Sequence, residues 1–135
     1  MQASSVQQVN KWILGARPRT LPAAVVPVVV GAVICIGEGG AQWSRAGLAL
    51  VVSLLLQIGV NFANDYSDGV RGTDEVRVGP ARLVASGMAT PRSVKRAAFL
   101  TFGLAAAIGL VLAFMTSLFV LPVGVAALLA GWFYT

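Results

Sequence analysis

Four polar residues able to bind a metal ion lie close together at the end of a long apolar run. Asn61, Asn64, Asp65 and Asp68 are spaced i, i+3, i+4, i+7, which places them on one face if the apolar run continues through them as a helix. Carboxylate and amide oxygens are hard ligands that suit Mg²⁺ and not zinc or copper. Because substrate phosphate oxygens often complete a Mg²⁺ shell, the pattern favours a phosphate-bearing substrate.

The stretch that follows is rich in glycine and in basic residues. The glycines are Gly69, Gly72, Gly79 and Gly87, and the basic residues are Arg71, Arg77, Arg82, Arg92, Lys95 and Arg96. Glycine lets backbone amides approach a phosphate, and arginine can donate two hydrogen bonds to the phosphate oxygens. The stretch matches neither an EF-hand, which needs alternating acids, nor a P-loop, which needs Gly-Lys-Ser/Thr. The alternative to a phosphate-binding role is that this stretch is a solvated loop that only connects two helices.

The elements that must position these residues are apolar and long. Of the 135 residues, 57% are hydrophobic and only 11% are charged, against about 25% charged residues in a soluble domain. Four apolar segments, at about 20–37, 46–64, 97–115 and 118–135, each approach the roughly 20 residues that cross a bilayer as a helix. The sequence therefore predicts an all-α polytopic transmembrane bundle with a loop at about 65–96. The chain has no histidine and one cysteine, Cys35, which excludes a Ser-His-Asp triad and an intrachain disulfide.

The basic residues predict the orientation of the bundle in the membrane. Nine of the ten basic residues lie before the first apolar segment or between the second and third, and Arg45 alone lies between the first and second. By the positive-inside rule, the N-terminus and the 65–96 loop are expected in the cytoplasm. The net charge of +5 is explained by these cytoplasmic positions, and no nucleic-acid partner is expected.

Two stretches resemble a known family. The segments GARPRTLPAAVVPVVVGAV and NFANDYSDGVRGTDEVRVGPARLVASG resemble the UbiA superfamily of intramembrane aromatic prenyltransferases, in particular its naphthoate branch. The resemblance implies a bundle of about nine transmembrane helices of about 20 residues each, with two Asp-rich cytoplasmic motifs. Since no acidic residue follows Glu75, the second motif is not in this chain. We therefore expect residues 1–135 to be the N-terminal part of such an enzyme, inactive alone.

The resemblance also implies roles for individual residues. Asn64, Asp65, Asp68 and Asp74 match the first motif and would hold Mg²⁺, with Asn64, Asp65 and Asp68 taking part in catalysis. Arg71 and Arg82 match diphosphate-binding positions, Arg17 and Arg19 match an Arg-Pro segment near the substrate entrance, and Asn61 is expected beside the substrate. The spacing from Asp68 to Asp74 is longer than in many ubiquinone-type relatives, which favours the naphthoate branch.

The implied reaction is Mg²⁺-dependent transfer of a polyprenyl group in a bacterial plasma membrane. The donor would be a polyprenyl diphosphate and the acceptor 1,4-dihydroxy-2-naphthoate, giving demethylmenaquinone with loss of CO₂ and diphosphate. One alternative is another aromatic acceptor on the same scaffold. If the natural chain ends at Thr135, a non-catalytic four-helix membrane partner or a small transporter is the other alternative. A transporter usually needs an ionisable group in mid-membrane, and the central portions of the four apolar segments have none.

Overall fold

The computed structural model describes residues 11–40, 42–72 and 82–134, and these residues form an all-helical bundle. Helix α1 occupies residues 11–16 and is followed by a short 3-10 helix, Pro18–Thr20. The remaining helices are α2 (Pro22–Gly37), α3 (Trp43–Arg71), α4 (Pro91–Thr116) and α5 (Val120–Phe133). No strand occurs in the described ranges, so the predicted fold class, a membrane helix bundle, is confirmed.

Two helices, α3 and α4, are long and apolar enough to cross a membrane. The segment Lys11–Thr20 together with α2 would form a third span, although the two parts are bent by 48° with respect to each other. Helix α5 has 14 residues and is therefore only about 21 Å long, shorter than the roughly 30 Å hydrocarbon core. The described residues thus provide two or three candidate spans where the sequence predicted four.

Helix α3 continues beyond the point at which the sequence predicted its end. Its 29 residues run to Arg71, where the predicted 65–96 loop had already begun. The helix ends at Gly72, whose φ of 73° is left-handed and whose N–H donates to the Asp68 carbonyl. At about 44 Å, α3 exceeds the hydrocarbon thickness, so its polar last turns can lie at the membrane surface.

Helix α4 begins before the predicted loop ends, because a capping signal precedes it. The Thr90 hydroxyl accepts a hydrogen bond from the Ser93 N–H, and Pro91 occupies the first helical position, where a missing N–H costs nothing. Helices α3 and α4 form the most extensive packed pair of the bundle. The buried core consists of Phe62, Ala63, Leu83, Val94, Ala98 and Phe102. This core lies beside the polar end of α3 and fixes that end against its neighbours.

Candidate functional site

The polar face of α3 divides into two neighbouring columns. Residues four apart stack almost above one another on a helix, so Asn61 and Asp65 form one column and Asn64 and Asp68 form the other. We call them the inner pair and the outer pair. Asn61 and Asp65 are 3% and 1% exposed, whereas Asn64 is half-buried and the Asp68 side chain is 32% exposed. The four residues predicted to share one site therefore have two different environments.

Asn61, in the inner pair, ties α3 to the bend between α1 and α2. Its amide nitrogen donates to the Ala16 carbonyl at 2.8 Å and to the Thr20 hydroxyl at 2.8 Å. The Thr20 hydroxyl in turn donates to the Arg17 carbonyl at 2.8 Å. Arg17 has a φ of 53°, and among the described residues it is the one non-glycine residue whose φ is positive. Asn61 thus fixes the backbone of the segment that carries Arg17.

Asp65, the other member of the inner pair, accepts hydrogen bonds from backbone amides. Its two carboxylate oxygens accept hydrogen bonds from the N–H groups of Leu83 at 2.8 Å and Val84 at 3.0 Å. These amides open a single helical turn in which the Ser86 N–H donates to the Arg82 carbonyl at 3.0 Å. The first amides of a helical turn lack partners within the turn, so a carboxylate aimed at them stabilises it.

The outer pair lies beside one of the predicted diphosphate-binding residues. The Arg82 guanidinium Nη2 lies 3.9 Å from an Asp68 carboxylate oxygen. Arg82 is 8% exposed, so this cation is held in place while the carboxylate stays partly accessible to solvent. The structure therefore brings together an acidic group and a basic group of the kinds that metal and diphosphate require.

The other predicted basic residues differ in their exposure. Arg71 is exposed in the last turn of α3 and lines a cavity of about 300 Å³ with Tyr66 and Trp132. Arg19 is exposed, and Arg17 is half-buried in the bend. Asp74, the predicted fourth metal ligand, lies outside the described residues.

The chemistry of the outer pair fits Mg²⁺ as far as the described residues extend. Asn64 and Asp68 offer an amide oxygen and a carboxylate oxygen, both hard ligands. Within the described ranges, no group of three or more Asp, Glu, His or Cys side chains comes together. Two protein oxygens are compatible with Mg²⁺ when substrate phosphates and water supply the remaining ligands.

Several residues of this region had no role in the sequence-based interpretation. Leu83 and Val84 hold the Arg82 turn through their amides, and Thr20 accepts from Asn61. The apolar pair Leu83-Val84 inside a polar loop was the available signal, since buried anchors of loops are apolar. Lys95 lies over the ring of Tyr66 at 5.5 Å, a cation–π contact between α4 and α3 that composition does not reveal.

Comparisons with known proteins give a consistent result. Residues 24–135 match the model of the UbiA prenyltransferase family. A protein of Mycobacterium tuberculosis (strain ATCC 25618 / H37Rv) is 52% identical over 125 residues, which is 93% of this chain and 43% of the relative. A protein of Escherichia coli (strain K12) is 37% identical over 83% of this chain and 37% of the relative. A protein of Bacillus subtilis (strain 168) is 30% identical over 92% of this chain and 40% of the relative. All three are named 1,4-dihydroxy-2-naphthoate octaprenyltransferase. The chain thus spans about two fifths of the length of these curated relatives. No solved structure shows significant similarity to it.

Proposed function

This chain belongs to the UbiA prenyltransferase family, and on that premise we propose that it forms part of a 1,4-dihydroxy-2-naphthoate polyprenyltransferase. The proposed enzyme transfers a polyprenyl group from a polyprenyl diphosphate to the naphthoate ring in menaquinone biosynthesis. One observation carries the proposal: relatives from three bacteria, up to 52% identical to this chain, all have the name of this enzyme. The contact between Arg82 and Asp68 supports it, because a diphosphate site needs both signs of charge.

We assign the binding of the diphosphate head to the polar end of α3. Arg82 would donate to the diphosphate oxygens from the turn that precedes α4, with Arg71, Arg17 and Arg19 as further predicted contacts. Asn64 and Asp68, together with Asp74, are the residues proposed to hold Mg²⁺. When bound, the metal would neutralise diphosphate charge and so make diphosphate a better leaving group. The apolar helices would accommodate the polyprenyl tail, at about 0.8 kcal/mol per buried CH₂.

The proposed reaction needs no nucleophilic side chain. The allylic C–O bond of the donor breaks, and its electron pair leaves with diphosphate. A C–C bond then forms to the ring carbon that bears the acceptor carboxylate, and that carboxylate departs as CO₂. The product leaves as the quinol form of demethylmenaquinone. The chain supplies orientation and charge, which agrees with its lack of histidine.

We propose a bacterial plasma membrane as the location of the enzyme. The residues before α2 and the stretch 65–96, from the last turns of α3 to the first turns of α4, would face the cytoplasm, because together they carry nine of the ten basic residues. With this orientation, the polar end of α3 lies where a soluble diphosphate head can reach it while the prenyl tail remains in lipid.

A direct test compares acceptors with the complete gene product in membranes. We expect prenylation of 1,4-dihydroxy-2-naphthoate with release of CO₂, and loss of activity when Mg²⁺ is chelated and restored by its addition. 4-Hydroxybenzoate serves as the competing acceptor in parallel reactions. If only hydroxybenzoate is prenylated, the chain still belongs to a prenyltransferase, but the proposed acceptor is wrong. No transfer to either acceptor with a polyprenyl diphosphate would overturn the proposed function itself.

A further inference from the structure

The turn that carries Arg82 packs against both α1 and α3. Leu83 is fully buried, and its side chain lies so near Gly15 that a Cβ there would come within 2.6 Å of a Leu83 methyl carbon. Val84 packs equally closely on α3, because a Cβ at Gly69 would lie 2.5 Å from the Val84 Cβ. Arg82 therefore sits at the start of a docked turn and not on a free loop.

Asp65 is the polar component of this docking. It is 1% exposed, and each of its two oxygens already accepts a backbone N–H of the turn. Each oxygen retains a second lone pair, but a hydrated metal ion could reach it only by opening the closely packed turn, which would leave the Leu83 and Val84 amides without acceptors at a cost in free energy. Asp68, one turn farther along α3, is partly exposed and lies beside Arg82. The two aspartates thus have separate surroundings although their spacing suggests one site.

We propose that Asp65 is a positioning residue that places Arg82 beside Asp68 for diphosphate binding, and that it is not itself a metal ligand. This inference rests on the proposed function and refines the ligand set predicted from the sequence. Asp65 acts on the substrate only through the turn: its carboxylate sets the position of the Leu83 and Val84 amides, and these fix the backbone from which the Arg82 side chain extends.

The test uses the complete gene product and graded variants at Asp65. Asp65→Asn keeps one acceptor oxygen and Asp65→Ala keeps none, so the effects should increase in that order. We expect faster hydrogen exchange at the Leu83 and Val84 amides, and a KM for the prenyl diphosphate raised about tenfold in Asp65→Ala, the scale of one lost hydrogen bond to a charged group. The Mg²⁺ concentration for half-maximal activity should stay near the wild-type value.

Two comparison variants separate positioning from ligation. Asp68→Asn should raise the Mg²⁺ requirement without faster exchange in the turn. Arg82→Ala should raise the KM for the diphosphate and leave the Leu83 and Val84 amides protected. If Asp65 acts through Arg82, adding Asp65→Asn to Arg82→Ala should raise the KM no further, whereas independent roles would give multiplied effects.

Several results would overturn the inference. One is a raised Mg²⁺ requirement in Asp65→Asn, like that of Asp68→Asn, with unchanged exchange at Leu83 and Val84. Another is a KM effect of Asp65→Asn that persists in full when Arg82 is already alanine. If Asp65→Ala does not fold, Asp65→Asn carries the same comparison. The exchange measurement needs no turnover, so it reports on the turn even if dihydroxynaphthoate proves not to be the acceptor.

Discussion

The two ends of helix α3 are built in different ways. All the buried residues of this helix, Gly59, Asn61, Phe62, Ala63 and Asp65, lie in its second half. The first half, from Trp43 onward, borders an apolar groove of about 640 Å³ between α2 and α3. One side-chain hydrogen bond in this half joins the Ser53 hydroxyl to the Ala24 carbonyl at 2.7 Å. The bundle is therefore closely packed at its polar end and open at its apolar end.

The two ends of α3 differ in packing because buried polar atoms need hydrogen-bond partners and apolar surfaces do not. A buried amide or carboxylate costs free energy unless each polar atom has a partner, so Asn61 and Asp65 require specific backbone groups at fixed distances. Those groups come from the bend before α2 and the turn before α4, which close packing must hold in place. An apolar surface has no such requirement, because lipid or another helix covers it equally well. Precise packing is therefore concentrated where polar atoms must meet.

The largest effect is expected from removing one negative charge at the polar end. Asp68→Asn keeps the side-chain shape but loses the charge beside Arg82, and should lower the transfer rate by about a hundredfold, the scale of one lost electrostatic contact in a transition state. Glu38→Gln makes the same chemical change at the opposite end of the bundle, at the exposed C-terminus of α2, and should leave the rate unchanged. The assay is Mg²⁺-dependent prenyl transfer by the complete gene product.

Near-normal activity of Asp68→Asn at unchanged Mg²⁺ would show that the polar end is only a solvated surface. Equal losses in Asp68→Asn and Glu38→Gln would show that the two ends do not differ in the way described.

A smaller effect, on stability, should differ in sign between the two halves of the α3–α4 interface. A Cβ at Gly59 would lie 2.8 Å from the Phe102 ring, so Gly59→Ala should destabilise the protein by about 1–3 kcal/mol. A Cβ at Gly109, on α4 in the apolar half, would meet Val52 at 4.0 Å, an ordinary contact. Gly109→Ala should therefore stabilise by about 0.5–1 kcal/mol through helix propensity. Thermal unfolding midpoints in detergent provide the measurement, and a loss of equal size in both variants would contradict the contrast.

The smallest perturbation tests which side of the membrane each end faces. In a Cys35→Ala background, Gly40→Cys should react with a membrane-impermeant thiol reagent in intact cells, and Ala85→Cys only after the cells are opened. Both positions are exposed, and Ala85 avoids the neighbouring Ser86, whose hydroxyl donates to the Arg82 carbonyl. The background substitution is needed because Cys35 is itself exposed. Labelling of Ala85→Cys alone in intact cells would invert the proposed orientation.

The sequence predicts the helices well because their signals are carried by side chains. Long uncharged runs identify α3 and α4. The predicted end of the second apolar segment, at about residue 64, was too early, although the spacing of Asn61, Asn64, Asp65 and Asp68 is that of a helix. The division of these four residues into two columns was not predictable. It depends on backbone atoms, the Ala16 carbonyl and the amides of Leu83 and Val84, which every residue type possesses and which therefore leave no mark in the sequence.

The partners of the inner pair also set an order of assembly during synthesis. Asn61 binds groups 45 and 41 residues before it, which have already been made when Asn61 leaves the ribosome. Asp65 binds amides that lie 18 and 19 residues after it and are still inside the ribosomal exit tunnel when Asp65 leaves it. Until these amides emerge, the Asp65 charge must remain hydrated, since an isolated carboxylate is costly in lipid. The polar end of α3 can therefore close only after the Arg82 turn has been translated.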